Sequence, residues 1–95
     1  MAFPSFFTSQ DFYYASGFLV EGKVTDTSFR TPVRNVHVYV VPGEEEVFTN
    51  KDGGFRLKTW RTYPLTVVVE HPDYYPKKVV VQDSLSKPEI FLQRR

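Results

Sequence analysis

The sequence predicts an all-β domain of about seven short strands, built as a sandwich or barrel. Three observations carry this. From Gly17 onward, apolar and polar residues alternate in short runs. Turn-forming residues separate those runs at intervals of roughly ten residues, the spacing of sandwich strands. No segment keeps a 3.6-residue apolar period for two turns, so neither helices nor a parallel sheet with helical crossovers is expected.

The first run, FLVEGKVTD, places Val20, Gly22 and Val24 on one face and Glu21 and Lys23 on the other. NVHVYVV turns Val36, Val38 and Val40 inward, leaving Asn35, His37, Tyr39 and Val41 outside. Pro42-Gly43 then breaks the strand, a fixed φ followed by a permitted positive φ. Glu44 to Glu46 solvate that turn, and Glu46 to Thr49 return as a short strand. GGFRLKT directs Phe55 and Leu57 inward against Arg56 and Lys58. In PLTVVVE, Leu65, Val67 and Val69 alternate with Thr66, Val68 and Glu70. Pro64 stands first, where a missing donor is tolerated. KKVVVQ adds Val79 and Val81, and EIFLQ adds Ile90 and Leu92, to complete the expected core.

Length and composition bound the rest. A chain of 95 residues forms one domain with a two-layer core. Its 41% apolar and 24% charged residues are ordinary for a soluble globular protein. The net charge of +1 provides no electrostatic footprint for nucleic acid or an anionic surface. Absence of cysteine removes disulfides and thiolate metal sites. No apolar run approaches the ~20 residues that span a bilayer, so no membrane insertion is expected. The opening MAFPSFFTSQ has no basic n-region and no clean apolar core, so no signal peptide is visible.

Residues 1–16 read as a segment apart from the domain at 17–95. Phe3, Phe6, Phe7, Phe12, Tyr13 and Tyr14 lie there among Ser, Thr, Gln and Pro without a period. Three readings stand. The segment is a lid over an open end of the sandwich, a docking element for a partner or second copy, or an unpacked tail.

The stretch TNKDGGFRL at 49–57 invites a calcium reading. With Gly53 as the sharp-turn glycine, Asn50 and Asp52 fall at ligand positions, but Phe48 and Thr59 occupy the first and twelfth. Both of those places need an oxygen-rich ligand, the twelfth a carboxylate. Calcium is therefore rejected. Asp52-Gly53 between alternating runs signals a hairpin turn instead.

The same turn carries a resemblance. VEGKVTD, TPVRNVHVYV, TNKDGGFRL and PLTVVVEHPDYYP occur in this order, and the order is similar to that of the carboxypeptidase regulatory-like domain family. It spans about Val20 to Leu92. Two departures fall at strand ends: His71-Pro72-Asp73 stands where the family carries a single glycine, and Gly54 is extra. The resemblance implies a transthyretin-like (prealbumin-like) Greek-key sandwich in two sheets. It also implies a non-catalytic accessory role, beside carboxypeptidase catalytic domains or at the amino ends of outer-membrane receptors and other exported bacterial proteins. On this ground alone, a periplasmic or cell-surface location is favoured.

A catalytic constellation is not legible. His37 falls on an outward strand position and His71 at a strand end before Pro72. With Asp73 they match no zinc-ligand spacing. The G-x-S-x-G elbow, the C-x-x-C pair and phosphate-binding glycine loops are missing, and each carries a specific chemistry. The purine-pathway hydrolases on transthyretin-like folds end in Tyr-Arg-Gly-Ser, whereas this chain ends Phe91-Leu92-Gln93-Arg94-Arg95. No catalytic residue, metal ligand or cofactor is assigned.

One stretch suits binding. KTWRTYP, Lys58 to Pro64, joins two strands and carries Trp60 and Tyr63. Tyr74 and Tyr75 would add to that patch if their turn lies at the same end of the sandwich. Exposed aromatics beside cations suit a protein partner or a stacked sugar ring. If Trp60 instead packs over the sheet end and a tyrosine plugs the core, the patch is structural. The sequence thus favours an accessory module for protein–protein contact or structural support, with carbohydrate binding through these aromatics as the alternative.

Overall fold

The structure is a computed structural model that describes residues 17–95. The aromatic segment 1–16, with its lid, docking and oligomer readings, lies outside the described residues. Seven strands form, and no helix occurs among the described residues. They are β1 Phe18–Asp26, β2 His37–Val41, β3 Glu45–Phe48, β4 Gly54–Thr59, β5 Leu65–His71, β6 Tyr74–Val81 and β7 Glu89–Leu92.

The strands build a sandwich from a narrow sheet, β4-β1-β7, and a broad sheet, β3-β2-β5-β6. β2–β3 and β5–β6 are antiparallel hairpins in the broad sheet. Every other connection crosses between sheets, and β4 returns to lie antiparallel beside β1, as a Greek key does. β7 pairs parallel with the second half of β1, Lys23 to Asp26. That pair needs no helical crossover, because the chain reaches it from the opposite sheet.

The alternation selects the core. Val20, Val24, Val36, Val38, Phe55, Leu57, Leu65, Val67, Val69, Val81, Ile90 and Leu92 are buried, as their positions predict. Val40 and Val79 pack only partly against that core. Val40 sits where the β2–β3 register shifts, and Val79 lies on the edge strand β6. Two further residues complete the interior: Val33, which the alternation did not mark, and Tyr74, the tyrosine of its pair that plugs the core. Val33 N–H donates to the Val24 carbonyl at 3.0 Å, extending the β1 pairing by a segment too short to show a period.

The Asn50–Gly54 stretch is a turn, but not a hairpin within one sheet. It carries the chain from β3 in the broad sheet to β4 in the narrow one. Asn50 Oδ1 accepts from the backbone N–H of Asp52 (2.9 Å) and Gly54 (3.0 Å). Gly53 holds φ at 77°, and its carbonyl accepts from Val24 N–H at 2.8 Å. The turn therefore docks on β1 and redirects the strand; a two-residue hairpin would have kept it in plane.

Glycine has a packing role at Gly22. A Cβ there would lie 2.6 Å from the Phe55 ring and 2.7 Å from the Pro88 carbonyl oxygen. Its absence lets the ring close over the strand.

Asp26, at the end of β1, is 1% exposed and fully engaged. Its Oδ1 accepts from Ser28 and Phe29 N–H at 2.8 and 2.9 Å. Its Oδ2 accepts from the Tyr74 hydroxyl at 2.6 Å and Arg94 Nε at 2.9 Å. Chiefly the Tyr74 hydroxyl, then Phe29 N–H, with Arg94 and Ser28 helping against burial, brings its pKa from 3.8 to about 2.

Two outcomes are expected. Because Asp26 is depressed in the fold, its contribution is complete above the ordinary carboxylate range and is lost as pH falls from about 4 toward 2. Thermal midpoints measured from pH 6 to 2 should fall in that window, and Asp26→Asn should flatten the fall; an unchanged acid slope in the variant would refute this. Gly22→Ala should cost about 1–3 kcal/mol in urea unfolding through overpacking, whereas an unchanged midpoint would mean Phe55 and Pro88 yield freely.

Candidate functional site

An antiparallel sheet with one buried face ordinarily turns polar residues to water on the other. The narrow sheet does so. Glu21 and Arg56 stand opposite each other on β1 and β4 and pair at 2.9 Å. Thr25 Oγ1 donates to Glu89 at 2.9 Å, and the Arg30 guanidinium covers the Phe91 ring at 5.5 Å.

The broad sheet does not. Phe48 on β3 is 61% exposed and Val80 on β6 is 57% exposed. Between them lie half-buried His37 and Tyr39 on β2 and Val68 on β5. Register aligns Phe48 with His37 and Tyr39 with Val68, while Val80 stands beside Thr66. The apolar stripe therefore runs diagonally across all four strands of this sheet. The rings order one another. His37 stacks on Phe48 with centroids 4.9 Å apart and 16° between planes, and Tyr39 leans on His37 at 4.7 Å.

Carboxylates fix this stripe from both sides. His37 Nε2 lies 2.6 Å from Glu46 Oε1, which also accepts from Gly43 N–H at 3.0 Å. Those two contacts, the Gly43 N–H first, lower the Glu46 pKa. The Tyr39 hydroxyl donates to Glu70 at 3.0 Å, and that bond raises its pKa.

His37 and His71 line one shallow depression of about 370 Å³, with Glu70, Pro72, Pro76 and Arg95. Each histidine already has a structural partner, since His71 Nδ1 accepts from Asp73 N–H at 3.1 Å. Among the described residues, no hydroxyl or amine nucleophile lines the depression. Among the described residues no three His, Asp or Glu side chains group to hold a metal.

The four aromatics singled out from sequence do not form one patch. Trp60 and Tyr63 sit by the start of β1, and Tyr74 and Tyr75 lie by its end, because β5 spans the sandwich between the two turns. Trp60 is 61% exposed, its N–H accepted by Glu45 Oε2 at 2.9 Å. Tyr63 packs against the core, meets Phe18 edge-on at 5.5 Å and donates its hydroxyl to the Leu19 carbonyl at 3.0 Å. Tyr74 is buried, and Tyr75 is half exposed under the Arg95 guanidinium. Trp60 alone remains as an open stacking surface. Sequence reading passed over the broad-sheet stripe because single outward apolar residues are common on strands; only register shows that these are contiguous.

The family model described as the CarboxypepD_reg-like domain matches residues 20–94. A comparison with curated proteins finds no match. Two solved structures share the fold, both type II cohesin–X–dockerin complexes from Acetivibrio cellulolyticus. A chain of the Coh3ScaB–XDoc_M1ScaA complex, an N-terminal interface mutant, superposes with a TM-score of 0.62 at 17% identity, over 82% of this chain and 58% of that one. A chain of the Coh3ScaB–XDoc_M2ScaA complex, a C-terminal interface mutant, gives 0.57 at 19% identity, over 81% and 52%. This chain thus spans a little over half of each matched chain.

Titration of soluble oligosaccharides into isotopically labelled protein should leave the Trp60 indole N–H signal in place. Saturable shifts there and at Arg61 and Thr62 would instead establish the carbohydrate alternative.

Proposed function

Because this chain belongs to the carboxypeptidase regulatory-like domain family, we propose that it is a non-catalytic accessory module that binds a protein partner through the outer face of its broad sheet. The observation that carries this is the stripe Phe48–His37–Tyr39–Val68–Val80. Its ends are well exposed, and among the described residues no Lys or Arg closes it by an ion pair, the His37 contact to Glu46 being the one charged-group pairing on it. Contiguous apolar surface on a small domain marks an interaction site, and aromatic anchors with a polar rim are the residues interfaces use.

Two supports are independent of that face. The histidines are committed to local hydrogen bonds, which accords with a structural role for both. The solved structures of like fold are interface mutants of protein–protein complexes, which accords with a sandwich of this kind serving recognition. Family membership also favours an exported or cell-surface parent protein. The carbohydrate alternative keeps one exposed ring, Trp60, and lacks the paired platform that Tyr63 would have supplied.

The test compares three forms of the protein as bait in extracts of its own cells. The parent should retain a discrete partner, and so should Arg56→Ser on the narrow sheet. Phe48→Ser with Val80→Ser should lose it while keeping the same thermal midpoint, since exposed substitutions shift stability by only about 0.5 kcal/mol. Undiminished retention by the double variant would overturn this reading.

A further inference from the structure

We propose that the aromatic run Phe12–Tyr14, in the segment that precedes the described residues, folds back over the Trp60 end of the sandwich, so that the chain closes this end itself. The contact lies at the start of β1 and is independent of the broad-sheet face. Register brings its parts together. Phe18 on β1 stands opposite Thr59, the last residue of β4, and Trp60 follows directly. Phe18, Leu19 and Trp60 are exposed large apolar side chains. The Phe18 ring meets Tyr63 edge-on at 5.5 Å, and Tyr63 packs against the core. One end of the sandwich thus gathers three exposed apolar groups beside the end of the core.

The reach of the chain identifies what covers them. Gly17 leads into β1 with φ at 83°, a left-handed conformation open to glycine. A Cβ on it would strike the Thr59 carbonyl oxygen and lie 3.1 Å from the Trp60 ring. The backbone therefore enters the domain pressed against Trp60. Tyr14 and Phe12 precede Gly17 by three and five residues. At no more than ~3.6 Å per residue, that holds them within about 11 and 18 Å of it. The covalent chain alone thus keeps Phe12, Tyr13 and Tyr14 beside Phe18, Leu19 and Trp60.

Such a short tether acts as an effective concentration on the order of millimolar, which a second copy in dilute solution does not match. Aromatic rings gain from offset or edge-on contact as well as from burial, and Phe18 on Tyr63 already shows that geometry at this end. Covered in this way, Trp60 becomes an anchor for the segment. The stacking surface that a sugar ring would need is then closed.

The chain holds one tryptophan, so its selectively excited emission reports this contact. In the whole chain, Phe12→Ser with Tyr13→Ser and Tyr14→Ser should move the emission to longer wavelength. Quenching by acrylamide should rise about twofold, as expected when aromatic cover is stripped from a ring. Phe3→Ser with Phe6→Ser and Phe7→Ser, which removes as many rings farther from Gly17, should change neither. In the labelled parent protein, ring-to-ring cross-relaxation should join Trp60 to at least one of Phe12, Tyr13 and Tyr14, and this decides the matter if the first triple variant fails to fold. Emission and quenching unchanged in that variant, equal changes in both variants, or no such cross-relaxation would overturn the proposal. Quenching of the parent that rises on dilution, together with a dimer mass, would also overturn it by assigning the segment to a second copy. Partner retention by Phe48→Ser with Val80→Ser tests the broad-sheet face separately.

Discussion

The buried carboxylate of Asp26 is the constraint on which the rest of the sandwich hangs. An ionised group removed from water must recover its lost solvation from fixed donors, and Asp26 recovers it from three different parts of the chain. Ser28 and Phe29 come from the turn after β1, Tyr74 from the opposite sheet, and Arg94 from beyond β7. The chain can satisfy this carboxylate only when β6 has crossed over β1 and the C-terminus has returned beside β6. Tyr74 and Arg94 indeed face each other in an isolated antiparallel bridge. Tyr75 N–H donates to the Gln93 carbonyl at 2.9 Å and Arg95 N–H to that of Asp73 at 3.1 Å. One charge thus closes one side of the sandwich, and it fixes the start of β6, the strand that carries Val80 beside Thr66 on the outer face.

That closure separates two outer surfaces of different character. On the narrow sheet, Glu21 and Arg56 neutralise one another at short range and Arg30 shields the outward Phe91 ring. Such a surface is content in water. On the broad sheet the side chains satisfy each other by stacking and by ring, hydroxyl and backbone contacts, while Phe48 and Val80 stay exposed. Removing water from such a face costs little in broken ion pairs and returns apolar burial, the balance that favours association.

Much of the fold was legible because alternation is a strong local signal. The strand positions and twelve of the buried core residues follow from it. What escaped depends on contacts distant in sequence. The sequence leaves open whether a tyrosine of PDYYP joins a surface patch or plugs the core, and the carboxylate of Asp26, 48 residues away, selects Tyr74 for the interior. Thr49 reads as the end of a short strand with no special role, yet its hydroxyl donates to the Val33 carbonyl and accepts Val36 N–H. The Asp52-Gly53 signal was read correctly as a turn and incorrectly as a hairpin, since the dipeptide sets backbone chirality and leaves open which sheet the next strand joins. The proposed docking face was harder still. Conspicuous aromatics in loops drew the reading toward Trp60 and Tyr63, while the contiguous stripe is spread over strands that only register brings together.

Edges bear on why recognition falls to a face. A sandwich of open sheets offers unpaired backbone at its outer strands, a template for an added strand of any sequence. Here those strands are guarded. β6 carries Pro76, Lys77 and Lys78, and Lys77 Nζ donates to the Phe91 carbonyl at 3.1 Å, across the gap to β7. β3 is only four residues long, and its Glu45 reaches across to β4, accepting the Thr59 hydroxyl at 2.6 Å and Trp60 N–H at 2.9 Å. A charged side chain directed across an edge obstructs an incoming strand as well as joining the two sheets. With backbone pairing discouraged on these sides, a partner must read side chains. On the proposed docking face, Phe48, His37 and Tyr39 are side chains that stand outward on β3 and β2.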